Sequence, residues 1–98
     1  TIVDSKNIIL LINESLIYTR EGNYLKAILK VSDAIELFPN IPILYAQLGS
    51  LYFLTNQNNL ALNNFYKAKQ LDSNIDGIQE MIVLLETQMG SLTQWKLF

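Results

Sequence analysis

The chain has 98 residues, of which half are apolar and 16% are charged, and its seven basic and nine acidic side chains leave a net charge of -2. That length makes one domain with a modest core and no deep enclosed active site. The basic residues Lys6, Arg20, Lys26, Lys30, Lys67, Lys69 and Lys96 are scattered rather than clustered, so a nucleic-acid partner is not expected.

The sequence holds no Cys and no His. This removes thiol and imidazole nucleophiles, histidine bases, disulfides and nearly all zinc and haem sites, so the expectation is a non-enzyme with neither cofactor nor metal. No apolar run is longer than that from Ile8 to Ile12, which is far too short to span a bilayer, and direct membrane insertion is not expected. The chain begins at Thr1 without Met and is taken as a fragment or processed piece. It carries no readable targeting signal, which leaves the cytoplasm as the default compartment. The apolar fraction exceeds what one small domain needs, which points to surface meant for contact.

Taken in order, Asp4, Ser5 and Asn7 are candidate caps for a first helix near residues 5–21, with Ile8, Leu11, Ile12, Ser15, Leu16 and Tyr18 at helical period. Glu21-Gly22-Asn23 turns the chain. A second helix, near 24–37, carries Leu25, Ala27, Ile28, Val31, Ala34, Ile35 and Leu37 until Phe38-Pro39-Asn40 stops it. Asn40 is the expected cap of a third helix near 41–55, with Pro42 in its first turn. A fourth follows near 58–71. The fifth, near 74–89, is expected to open at Ser73 or Asn74 with Asp76 at its positive end, to carry Ile75, Ile78, Ile82, Leu85 and Met89 inward, and to end at Gly90. Ser91-Leu92-Thr93-Gln94 then reads as a capping box that opens a short helix or tail with Trp95, Leu97 and Phe98, folded back on the bundle.

The packing face is written most clearly between Tyr45 and Ala68. Tyr45, Leu48, Gly49 and Tyr52 stand at helical spacing, and after a polar break so do Ala61, Phe65 and Ala68. Small residues at Gly49, Ala61 and Ala68 let two helices approach closely while the aromatic rings fill the space that remains. A shift of 34 residues lays Ile9 on Ile43, Leu10 on Leu44, Tyr18 on Tyr52, Ala27 on Ala61, Ala34 on Ala68, Leu37 on Leu71 and Asn40 on Asn74. Ser15 then falls on Gly49, and close approach in the first hairpin rests on that serine.

This pattern resembles the tetratricopeptide repeat family, whose 34-residue unit carries aromatic-x2-Leu-Gly-x2-Tyr in its first helix and Ala-x3-Phe in its second. Tyr45 stands where the family usually has Trp; Leu48, Gly49, Tyr52, Ala61 and Phe65 match as they are, Pro39 falls at the family's Pro position, and Ser73 replaces that Pro in the next repeat. The first repeat departs at Glu14 and Ser15, where the family has Leu-Gly. The resemblance implies an all-α solenoid of tandem helical hairpins, with repeat 1 at about 8–40, repeat 2 at about 42–74, a third-repeat helix at 75–89, and a tail or short helix at 91–98.

The resemblance also implies a concave face made by the first helices of the repeats. On this chain that stripe is Ile9, Ile12, Leu16, Thr19, Ile43, Ala46, Ser50, Phe53, Glu80, Leu84 and Thr87, which is mostly apolar. The family's set of Lys, Arg and Asn residues that grips a peptide carboxylate is absent, since its places fall on Ile12, Leu16 and Ser50. The expected function is therefore a protein interaction module that docks an apolar peptide or helix of a partner. The alternative is self-association as a homodimer, with Met81, Val83, Leu84 and the segment from Trp95 to Phe98 packing on a second copy.

The acidic pairs Asp33 with Glu36 and Asp72 with Asp76 read as solvated helix faces rather than metal or acid-base sites. The aromatic residues Tyr18, Tyr45, Tyr52, Tyr66 and Trp95 read as packing. The ten asparagines, crowded at Asn56, Asn58 and Asn59, read as turn chemistry or compositional bias.

Overall fold

A computed structural model describes the backbone of residues 2–97 and the side chains of residues 7–90. Its elements are α1 (Ile2–Arg20), α2 (Tyr24–Leu37), α3 (Pro42–Leu54), α4 (Asn58–Leu71) and α5 (Ile78–Leu97), with no strand among the described residues. Each helix packs chiefly on the next one in the chain, which makes two antiparallel hairpins and a fifth helix laid against the second.

The core has two parts, and α3 faces both. Leu44, Leu48 and Leu51 meet Ala27, Val31 and Ala34 of α2. From another side of α3, Ala46 joins Ala61, Leu62, Phe65 and Ala68 of α4 and Ile78, Ile82 and Leu85 of α5. A helix flanked by two clusters needs apolar residues around most of its circumference, and Pro-Ile-Leu-Tyr-Ala-Gln-Leu-Gly-Ser-Leu-Tyr-Phe-Leu supplies them.

The small residues set the helix spacing. Ala27, Ala34, Ala61 and Ala68 have no exposed surface. A methyl group added at Gly49 would lie 2.9 Å from Phe65 Cε1 and 3.0 Å from its Cδ1. Ser15, the counterpart of Gly49, is buried, and its hydroxyl donates to the Ile12 carbonyl at 2.7 Å, so the polar group is satisfied within its own helix. Leucine at position 61 or 68 is expected to overpack the α3–α4 contact and cost about 1 to 3 kcal/mol, whereas Asn59→Ala, on an exposed site, is expected to be near neutral. Thermal melts of the three variants check this; an Ala61→Leu melt equal to the parent's removes the close-packing argument.

The turns after α1 and α3 are built alike. Gly22 has φ +77°, its N–H donates to Thr19 O, and Asn23 N–H donates to Tyr18 O at 2.8 Å. Asn56 has φ +62°, its N–H donates to Phe53 O, and Gln57 N–H donates to Tyr52 O at 2.8 Å. Both are Schellman caps, and asparagine is the residue besides glycine that most readily enters the left-handed region they require. Asn23 also caps α2 through its side-chain oxygen, which accepts from Lys26 N–H.

Four expectations from the sequence are corrected. The first helix starts at Ile2, upstream of Asp4, Ser5 and Asn7, because nothing in that stretch breaks a helix. The residue capping α3 is Ile41, with no side-chain capping bond; Asn40 lies one position too early, in a turn whose Pro39 carbonyl accepts from the Tyr45 hydroxyl at 2.6 Å. The last helix opens at Ile78 rather than at Ser73 or Asn74. Asp72 Oδ1 accepts from Asn74 N–H, and Gly77 at φ +83° holds the chain out of helix until its own carbonyl accepts from Met81 N–H. Finally, α5 runs through Gly90 to Leu97 instead of ending there. A single helical glycine costs only about 1 kcal/mol against alanine, which its neighbours outweigh. The side chains of 91–98, Trp95 and Phe98 included, lie outside the described residues.

Leu25 and Leu37, expected inside α2, are exposed, whereas Ile78, Ile82 and Leu85 of α5 are buried as expected, and Ile75 and Met89 pack against the second cluster. Polar ties join neighbouring helices. Lys30 Nζ pairs with Glu14 Oε2 at 2.9 Å, and the Tyr66 hydroxyl donates to Glu86. These bonds raise the pKa of Lys30 above 10.5 and that of Tyr66 above 10.0, through the hydrogen bond first in each case. A raised folded-state pKa means a contribution that is present at neutral pH and is lost only as pH rises through those values.

Candidate functional site

Between the odd-numbered helices lies a groove of about 390 Å³. Helix α1 contributes Ser15, Leu16 and Thr19 to its lining, and α3 contributes Ile43, Ala46, Gln47, Ser50, Leu51 and Leu54. Phe65 reaches it from α4, and it is closed by Ile75, Asp76 and Gly77 of the turn before α5 and by Ile78 and Met81 of α5. The position of that turn follows from Gly77. Had α5 opened at Asn74, Asp76 and Gly77 would stand within its first turn.

Of the stripe read from the sequence, Leu16, Thr19, Ile43, Ala46 and Ser50 line this groove. Leu16 and Ile43 keep 44% and 47% of their surface exposed, so each offers a free apolar face. Ala46 is buried in the second core cluster and Phe53 packs on that cluster, whereas Ile12 packs on the first. The last two therefore serve hairpin packing rather than standing clear of it. Ile9 is exposed and stands outside the groove. Glu80, Leu84 and Thr87 gather with Gln79 and Val83 at a separate shallow hollow on α5. The single stripe is thus two surfaces.

Gln47 was not singled out by periodicity, yet it is the group most unlike its surroundings. Its side-chain oxygen is buried without a hydrogen-bond partner while the residue lines the groove. An unsatisfied buried acceptor costs about 1 to 3 kcal/mol, so such a group calls for an explanation. A signal existed in the sequence: Gln47 and Ser50 are the only polar residues of α3 apart from tyrosines.

The electrostatics of the groove are one-sided. Among the described residues, Asp76 is its one charged lining residue. The four described lysines are engaged elsewhere: Lys30 with Glu14, Lys26 over the Tyr18 ring at 5.6 Å, Lys67 over the Tyr45 ring at 6.0 Å, and Lys69 donating to Gln79 at 2.7 Å. Among the described residues, no group of three or more His, Cys, Asp or Glu could hold a metal ion, and no helix is long and apolar enough to cross a membrane.

No family model and no curated protein matches the sequence. Solved structures do match by shape. The first TPR domain of Spaghetti (RPAP3), bound to the HSP90 peptide SRMEEVD, superposes with a TM-score of 0.82 at 19% identity, over 91% of this chain and 71% of that one. The second TPR domain of the same protein, bound to the same peptide, gives 0.82 at 18% identity, over 98% of this chain and 91% of that one. At such identities the likeness is one of fold, and it agrees with the 34-residue phase, the two matched Schellman turns and the Gly49–Phe65 contact found in the chain itself. The chain therefore has the tetratricopeptide repeat fold, as two helical hairpins and the opening helix of a third.

Proposed function

We propose that this domain is a non-enzymatic interaction module whose groove docks a short apolar segment of a partner protein. The observation that carries this reading is the groove itself, which gathers the exposed faces of Leu16 and Ile43 with Gln47, whose side-chain oxygen is buried without a partner. Apolar side chains on a bound segment would cover the first two, and a backbone N–H would satisfy the third, which is how small grooves combine affinity with register. The two structural neighbours, each bound to a peptide, support a peptide as the ligand class.

The test is a titration of isotope-labelled protein with a capped hexapeptide of sequence Leu-Ala-Leu-Leu-Ala-Gln, followed by amide and methyl resonances. Shifts are expected at Leu16, Thr19, Ile43, Gln47 and Ser50, with the protein sedimenting as a monomer. Concentration-dependent sedimentation without peptide, with shifts confined to Val83 and Leu84, would instead establish self-association through α5 and overturn the reading.

A further inference from the structure

We propose that the groove selects an apolar segment that carries a positive charge and disfavours an acidic one. This rests on the docking reading above and specifies the chemistry of its ligand. Three observations point the same way. Among the described residues, Asp76 is the only charged side chain that lines the groove, and no ion pair or hydrogen bond ties it up. No described lysine or arginine lines the groove; Arg20 follows Thr19 in the chain but stays outside it. The separate hollow on α5 repeats the sign, with Glu80 beside Val83, Leu84 and Thr87 and no cation among its described lining residues.

The positive end of α5 would otherwise draw an anion to this edge. Asp76, two residues before Ile78, offsets that pull with a full negative charge. A segment such as SRMEEVD, with three acidic residues and one arginine, would therefore bring its charge against the wrong sign here. A lysine, an arginine or a free amino terminus next to apolar residues would reach Asp76 while its neighbours cover Leu16 and Ile43. Gln47 sets the backbone register independently of charge, because its amide oxygen accepts from a main-chain N–H whatever the side chains are.

The experiment compares three capped hexapeptides, Leu-Ala-Leu-Leu-Ala followed by Lys, Gln or Glu, by fluorescence or calorimetry. Affinity is expected to fall in that order, with Lys about five- to tenfold tighter than Glu at low salt, a range set by exposed charge pairs, and the gap is expected to close at high salt. Asp76→Asn should collapse the three to one affinity, and Gln47→Leu should weaken all three by a similar factor of about three to ten. The salt series on the unaltered protein decides the matter even if a variant fails to fold. Equal affinities for the Lys and Glu peptides at low salt would overturn charge selection and leave docking standing. No binding by any of the three would overturn docking itself.

Discussion

Phe65→Ala is expected to lower folding stability by about 3 to 5 kcal/mol, a large share of the roughly 5 to 15 kcal/mol that holds a domain of this size together. Phe65 is 1% exposed and lies in the cluster formed with Ala61, Ala68, Ile78, Ile82 and Leu85. Its ring also stands against Gly49. Truncation leaves a cavity bounded by three helices, which cannot all close on it. The melting temperature is expected to fall on the order of 15 to 30 °C.

The same contact makes a sign reversal testable. In the parent, Gly49→Ala places a methyl 2.9 Å from a ring atom of a side chain with no room to move, and is expected to destabilise by about 1 to 2 kcal/mol despite the better helix propensity of alanine. With Phe65 already truncated the clash is gone, and Gly49→Ala is expected to stabilise by up to about 1 kcal/mol. A double-mutant cycle by urea melts measures this, and additive effects would show that the two residues do not meet as described.

The second large effect is on binding. Leu16→Glu combined with Ile43→Glu is expected to weaken capture of the neutral hexapeptide by a hundredfold or more while the helical circular dichroism is retained. Both side chains are nearly half exposed in the free protein, so each carboxylate is solvated until a ligand covers it. Burial without a partner then costs about 2 kcal/mol or more for each group, and a hundredfold in affinity is about 2.7 kcal/mol. Phe53 and Ala46 are unsuitable for the same purpose, since a charge at either would enter the second core cluster and unfold the protein. Unchanged affinity in a folded double variant would place the ligand elsewhere.

Much of the architecture was legible because it rests on local rules. Helical spacing, residue volume and the 34-residue phase act over one or two turns, so the hairpin pairing, the alanine contacts and the approach at Gly49 could be read from residue types alone. Gly22 marked its turn for the same reason. Asn56 was less visible because a left-handed asparagine is indistinguishable, in composition, from the other nine.

Helix ends were harder to read, because caps compete. Asn40, Asp4 and Ser5 are good capping residues that lost to Ile41 with Pro42 and to an uninterrupted run from Ile2, and Gly90 has the residue type of a stop but lies within continuous helix. Each choice turns on about 1 kcal/mol, which the rest of a helix readily outweighs.

The sequence by itself determined the repeat, the pairing of helices and the mostly apolar character of the concave stripe, all of which depend on residue type and spacing. Only the tertiary structure decided which stripe residues remain free. Leu16 and Ile43 stay open, whereas Ala46 is buried and Phe53 packs on the second cluster because α3 must satisfy two clusters at once, and Ile12 packs on the first cluster from α1. It also brought Gln47 and Asp76, 29 positions apart in the chain, to one groove. That meeting depends on where the turn at Gly77 lets α5 begin, a long-range outcome that no local spacing encodes.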